Sequence, residues 1–290
     1  ARAGTGFGLR EAAIIASQLA SQAMAFLGDG AWALVAGAAE GLGEAYSREL
    51  SASGLNLILV DIQKGPLEKL SHDLEEAFGV ACKPLHLDLG EDHSIAIMME
   101  AVRETACGLL VYNAAHSSVQ KFLENDPSML DRYVQVNIRT PLQLAHAFCA
   151  LHGERPELRK GMVLMSSMAG SWGTRLLGPY GGSKAFIHIF AESLHYELKE
   201  EGFDVLACIA GPTSTPGYIS SLPPGQEKAI HVMQARKVVK EALKALGKRA
   251  FVIPGLRNRL NYFLMSRMLS RRAALQMMNR AVSKLYRTNL

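Results

Sequence analysis

The sequence predicts an α/β fold: a doubly wound, Rossmann-like parallel sheet of seven strands in a single domain, with extra N- and C-terminal helices. Three observations carry that expectation. From Ala31 onward short apolar runs alternate with longer helix-like segments, the pattern of βαβ units building a parallel sheet. Several runs are apolar without alternation, as strands covered on both faces are. The first run also leads into a glycine-rich turn that opens a helix.

Taken in order, the strands are expected at Ala31–Ala36, Leu55–Val60, Val80–Leu87, Gly108–Tyr112, Gly161–Met165, Phe203–Ile209 and Ala250–Ile253. The intervening helices fall at Leu42–Ser53, Pro66–Phe78, Ser94–Thr105, Pro127–Leu151, Pro179–Glu201 and Ala235–Leu246. Residues 31–254 are thus expected to form one Rossmann-like domain, and no repeat, low-complexity tract or linker divides it. Residues 1–30 are an N-terminal extension, helical in pattern over Glu11–Leu27, and residues 255–290 a C-terminal helical tail.

A length of 290 residues fits one large α/β domain, and 49% hydrophobic with 20% charged residues excludes a disordered, collagen-like or coiled-coil chain. The net charge of +4 is unevenly spread: eight cations lie between Arg257 and Arg287 with no acid after Gly255, leaving a mildly acidic body. The four cysteines (Cys82, Cys107, Cys149, Cys208) form no CxxC pair, which argues against a zinc knuckle, a redox dithiol or a disulfide framework. A reducing, cytoplasmic setting is expected. The uncharged stretch Ala12–Gly28 carries Ser17, Gln18, Ser21 and Gln22, too polar for the ~20 apolar residues of a membrane span.

The first strand runs into Gly37-Ala38-Ala39-Glu40-Gly41-Leu42-Gly43 and then a helix. Glycines there let a pyrophosphate approach the backbone, while the helix N-terminus offers unpaired N–H groups and a positive dipole. The second strand ends on Asp61, whose carboxylate can accept both adenosine ribose hydroxyls and would repel the 2′-phosphate of NADP. Glu40 adds a second negative charge, so NAD is the expected cofactor and NADP the less favoured one. Asp61 as a helix cap before Pro66 is the alternative.

The motif Tyr180-Gly181-Gly182-Ser183-Lys184 opens a predicted helix. Spacing i, i+4 stacks Lys184 one turn from Tyr180, so its ammonium can favour the phenolate of a group whose free pKa is about 10. Such a tyrosine can exchange a proton with an alcohol or carbonyl oxygen. Thirteen residues before it, at a strand end, Ser167 can hold the same oxygen; Ser166 is the weaker candidate. Pro141 has no N–H, so within a helix the carbonyl of Asn137 loses its donor and is free to hold a water.

These motifs together resemble the classical short-chain dehydrogenases/reductases over about Trp32 to Tyr218. The resemblance places the glycine loop on Gly37, Gly41 and Gly43, the adenine-contacting Asp on Asp88 beside Leu89, and the Asn-Ala-Gly turn on Asn113, Ala114 and Ala115. It implies a catalytic set of Asn137, Ser167, Tyr180 and Lys184, with a water relaying protons between Lys184 and Asn137. The segment after the sixth strand becomes Ala210-Gly211-Pro212, with Thr215 at the nicotinamide carboxamide. The expected cofactor contacts are therefore Gly37, Glu40, Gly41, Leu42, Gly43, Asp61, Asp88, Leu89, Asn113, Ala114, Tyr180, Lys184, Gly211, Pro212 and Thr215.

Within that family, Gly43-Glu44-Ala45-Tyr46 with Glu49-Leu50, and Ser193-Leu194-His195-Tyr196-Glu197-Leu198, resemble the branch of very-long-chain 3-oxoacyl-CoA reductases and 17β-hydroxysteroid dehydrogenases. That branch generally uses NADPH, from which Asp61 departs. The implied reaction interconverts a secondary alcohol and a ketone on a lipophilic substrate, steroid or 3-hydroxy/3-oxoacyl in type, in a homodimer or homotetramer. A non-catalytic NAD-binding sensor or scaffold is the alternative. No HExxH or other ligand spacing among the nine histidines suggests a metal, and His116 reads as a plain loop histidine, the alternative being that it faces the substrate mouth.

Substrate choice is expected to rest on a mostly apolar lid from Pro216 to Gln234. In the tail, Ala274, Met277, Met278, Ala281 and Leu285 share one helical face, with Arg272, Arg280, Lys284 and Arg287 largely opposite. A basic amphipathic helix suits an anionic membrane surface, giving a peripheral location there, or a cap over the pocket, or a neighbouring subunit. No nucleic-acid partner is expected, since the basic cluster lacks a recognised fold or stacking platform.

Overall fold

The computed structural model describes residues 30–153, 160–226 and 231–286. The expected N-terminal helix Glu11–Leu27 and Arg287 lie outside the described residues. Seven parallel strands form one sheet: β1 (Trp32–Ala36), β2 (Asn56–Asp61), β3 (Cys82–His86), β4 (Cys107–Tyr112), β5 (Lys160–Ser167), β6 (Phe203–Ala210) and β7 (Phe251–Val252). Their spatial order is β3-β2-β1-β4-β5-β6-β7. The winding therefore reverses between β1 and β4, which opens a crevice at the strand C-termini.

The inner strands are apolar on both faces because each face is covered, whereas the edge strand β3 carries Lys83 and His86 and is only partly buried. In β1, Ala33 and Val35 join one core with Leu57, Leu59, Leu109 and Val111. That core is closed by α1 (Gly41–Ser51), α2 (Lys64–Phe78) and α8 (Ala235–Ala245). Leu34 and Ala36 join the opposite core, covered by α3 (Ser94–Arg103), α5 (Thr140–Gly153) and α6 (Gly178–Glu197). Fully burying one Leu of either core stabilises the fold by about 1.5–3 kcal/mol, enough to fix strand register. Tyr46 of α1 is fully buried, and its hydroxyl meets Met165 Sδ at 3.3 Å.

The long helix expected at Pro127–Leu151 is divided. It comprises α4 (Pro127–Val134), a π turn at Gln135–Arg139, and α5, in which the Thr140 N–H reaches the Gln135 carbonyl. Pro141 cannot donate to the carbonyl four residues back, and widening the turn relieves that clash. The expected lid contains structure of its own: α7 (Pro216–Ser220) and a two-stranded pairing of Thr213–Ser214 with Met233–Gln234. Residues 227–230 of it lie outside the described part.

The tail forms α9 (Leu256–Phe263), a π turn Leu264–Met268 and α10 (Arg271–Leu285). Helix α10 docks through Ala274, Val282, Ser283 and Leu285, while Met277 and Ala281 face solvent. The packing face is thus rotated from the one read off the helical wheel. Its position is set by Asn279, which accepts the Arg175 N–H at 2.9 Å and donates to the Gly173 carbonyl at 3.1 Å.

Candidate active site

The crevice between β1 and β4 is a cleft of about 360 Å³. The glycine turn forms one wall. Gly37 has φ +78°, and a Cβ on it would sit 2.6 Å from the Ala114 nitrogen. A Cβ on Gly43 would lie 1.7 Å from the Gly37 carbonyl oxygen, so only glycine lets the first turn of α1 close on the strand end. Asn113 Nδ2 donates to that same carbonyl at 2.8 Å. Glu40 occupies the N-cap of α1 without a side-chain cap, so the first-turn N–H groups are left for a ligand.

Asp61 is not a helix cap: α2 starts at Lys64, with Gln63 before it. Its Oδ2 accepts the Ala39 N–H at 2.9 Å and its Oδ1 the Gln63 N–H at 3.0 Å. The carboxylate ties the glycine turn to β2 and lines the cleft beside Glu40. Asp88 and Leu89 face it from the far side. Burial acts to raise the Asp88 carboxyl, but Arg132 at 2.9 Å and the Gly90 N–H outweigh it and hold the group below its ordinary range. Arg132 was not readable from the sequence, because its partner lies 44 positions away.

Of the residues expected to hold the cofactor, Gly37, Glu40, Gly41, Leu42, Asp61, Asp88, Leu89, Asn113, Ala114 and Thr215 line this cleft. Thr215 caps α7, accepting the Tyr218 N–H at 3.2 Å. Gly43 supports the turn from behind. Gly211 packs against Asn258, and the Pro212 carbonyl accepts the Met233 N–H, so both brace the lid rather than line the cleft. Ser167, Tyr180 and Lys184 also stand outside the cleft lining, reached through His116 and Asn137.

Asn137, on the π turn, is buried and uses its whole amide. Nδ2 donates to the His116 carbonyl at 2.9 Å and to Ser183 Oγ at 3.0 Å, and Oδ1 accepts the His116 N–H at 2.7 Å. Ser183 Oγ in turn donates to the Tyr180 carbonyl at 2.8 Å. The cleft loop after β4 and the start of α6 are thereby locked together. The His116 ring packs edge-on to Tyr133 at 4.6 Å, and burial with the nearby Arg132 charge holds its pKa below the ordinary histidine value.

Ser167 ends β5 and Tyr180 begins α6, which sets the two side chains near one another; the Ser167 Oγ accepts the Ala169 N–H at 3.2 Å. Burial raises the Tyr180 pKa above its ordinary value; the Ser167 hydroxyl opposes the rise and nearby Tyr133 adds to it. The neighbouring serine does something else: Ser166 Oγ donates to the Lys184 carbonyl at 2.8 Å. Lys184 is 4% exposed, and burial pushes its pKa down to about 8. Its Nζ donates to the Met165 carbonyl at 2.8 Å and lies 5.8 Å from the Tyr180 ring centre. Among the described residues, no cluster of His, Cys, Asp and Glu could hold a metal ion.

Residues 31–222 match the short chain dehydrogenase family. A 7beta-hydroxysteroid dehydrogenase of Collinsella aerofaciens is 30% identical over 233 residues, 79% of this chain and 88% of that one. A very-long-chain 3-oxoacyl-CoA reductase of Anas platyrhynchos is 34% identical over 184 residues, 61% of this chain and 58% of that one. A solved structure described for 7beta-hydroxysteroid dehydrogenase stereoselectivity superposes with TM-score 0.80 at 28% identity, covering 86% of this chain and 97% of that one.

Proposed function

Because the chain belongs to the short-chain dehydrogenase family, and so is an oxidoreductase with a nicotinamide cofactor, we propose that it interconverts a secondary alcohol and a ketone on a lipophilic hydroxysteroid or 3-oxoacyl substrate, with NAD. One observation carries the reading: the Tyr180 and Ser167 side chains come together beside the buried Lys184, whose Nζ lies 5.8 Å from the Tyr180 ring centre. A substrate oxygen bound there meets a proton exchanger and a fixed hydroxyl together.

The residues present fit the cofactor. The cradle of Gly37 and Gly43 admits no side chain, and the uncapped start of α1 offers N–H groups to a pyrophosphate. Asp61 and Glu40 favour ribose hydroxyls and oppose a 2′-phosphate, which supports NAD over NADP. When bound, the nicotinamide supplies or accepts the hydride. Tyr180 exchanges the proton with the substrate oxygen and Ser167 positions that oxygen. Lys184, poised near pKa 8, steadies the phenolate and passes the proton toward the Asn137 carbonyl, which Pro141 leaves without its usual donor. The names of the relatives support the substrate class. Ile189 and Tyr196, 61% and 75% exposed on α6, support a second subunit on that face.

The test is NADH absorbance with a panel of hydroxysteroids, long-chain 3-hydroxyacyl thioesters and secondary alcohols, with NADP in parallel. Turnover of a lipophilic member, favouring NAD by roughly ten-fold or more, is expected. NAD binding with no turnover across the panel would instead favour the sensor or scaffold reading.

A further inference from the structure

Helix α9 and the π turn after it form one continuous helical segment with two contrasting faces. The inner face is anchored: Asn258 Nδ2 donates to the Pro254 carbonyl at 2.9 Å and packs on Gly211, Met265 is buried, and the Tyr262 ring lies 5.2 Å from that of Trp172. The outer face is apolar where a surface helix is ordinarily polar. Leu256 is 75% exposed, Leu260 54%, Phe263 54%, Leu264 43% and Met268 68%. Contiguous exposed apolar side chains of this size mark an interaction surface.

The rim of this face identifies its occupant. Arg257, Arg267, Arg271 and Arg272 are all exposed beside it, and no acidic residue occurs from Gly255 to the end of the sequence. Arg259 is paired with Glu241 at 2.8 Å and stands apart from the rim. A second copy placed on the stripe by two-fold symmetry would set the arginine rim against itself, and the carboxylate beside this helix, Glu241, is already engaged by Arg259 and the Gly255 N–H. We infer that the outer face of α9 and its π turn is a docking surface for an anionic lipid bilayer. Leucine, phenylalanine and methionine enter the acyl boundary, while the arginine stems lie along it and their guanidinium groups meet the headgroups.

The placement links the surface to the site. Tyr262 and Met265, on the inner face, pack with Trp172, which lies in the segment joining Ser167 to Tyr180. One helix diameter, about 10 Å, then separates the lipid surface from that segment. A lipophilic substrate dissolved in the bilayer would have a short path to the site.

The test reads binding rather than turnover, so it stands whatever the fate of the proposed chemistry. The full-length chain is sedimented with phosphatidylcholine vesicles with and without about 30% phosphatidylserine, at low and high salt. Sedimentation with the anionic vesicles alone, weakened by salt, is expected. The double variant Leu260→Ser/Phe263→Ser should lose it about ten-fold or more with an unchanged circular dichroism spectrum, since both side chains are exposed. Arg267→Glu/Arg271→Glu should do the same. Hydroxyl-radical footprinting should modify Phe263 and Met268 readily in the free protein and less with vesicles. No binding to anionic vesicles, binding unchanged in the double variants, or protection of Phe263 and Met268 before vesicles are added would each overturn the inference. The last outcome would mean that protein already covers the stripe.

Discussion

Asn137 holds His116 at both ends: its Oδ1 accepts the His116 N–H at 2.7 Å and its Nδ2 donates to the His116 carbonyl at 2.9 Å. The same amide reaches Ser183 on the tyrosine helix, so one buried side chain sets the distance between the cleft loop and α6. Asn137→Ala leaves two backbone groups and Ser183 without that partner. A loss of about 2–4 kcal/mol in urea unfolding is expected, together with reduced turnover. An unchanged unfolding midpoint would show that water replaces the amide.

Tyr180→Phe removes the hydroxyl that faces Ser167 while keeping the half-buried ring. Turnover should fall by roughly a thousand-fold, with NAD affinity within about two-fold by fluorescence titration. Substantial residual turnover would remove Tyr180 from the proton-transfer role.

Lys184 gives the pH-dependent expectation. Burial lowers its folded-state pKa to about 8 from 10.5, so the charged form is penalised in the folded chain. The penalty is fully present below pH 8 and is relieved as pH rises toward 10.5, where the unfolded chain still binds the proton that the folded one has released. Lys184→Met should therefore be inactive yet more stable by about 1–2 kcal/mol at pH 7, after the loss of the bond to Met165. The advantage should shrink between pH 8 and 10, and thermal melts across that range would show it.

Asp61→Asn keeps an acceptor for the Ala39 N–H but removes the charge facing the cleft. NADP should gain and NAD lose affinity, moving the ratio of dissociation constants by about ten-fold or more. Titration of each cofactor tests this, and a static ratio would shift the discrimination to Glu40.

Asn279→Ala cuts the two backbone bonds by which α10 holds the Gly173–Arg175 segment between Ser167 and Tyr180, leaving the bond from Arg175 Nη1 to Ser283 Oγ. Exchange of the Arg175 amide hydrogen should speed up by about ten-fold or more, and KM for bulky substrates should rise more than kcat falls. Equal losses in both constants would point to a general structural defect.

The legible features were local ones. A glycine turn after a strand, an acid at the end of the next strand, and a tyrosine and lysine four residues apart are each set within one element, and the element order made the strand–helix alternation readable. Arg132 with Asp88, Asn279 with Arg175, and Asn137 with His116 join positions 44, 104 and 21 apart, and sequence spacing carries no sign of them. Pro141 was visible as a missing donor, but the π turn that accommodates it depends on how α4 and α5 pack.

The sequence by itself determined the doubly wound α/β fold, the glycine cradle and acids at the crevice, and the presence of a basic, amphipathic tail. Only the tertiary structure decided which side of that tail meets the protein. Periodicity defines an apolar stripe but not its direction, because burial is a property of the surface it meets. Met277 and Ala281 proved to face solvent, while Ala274, Val282 and Leu285 fill the seam. One helix earlier, Asn258 and Met265 turn inward, so Leu260 and Phe263 are left outside.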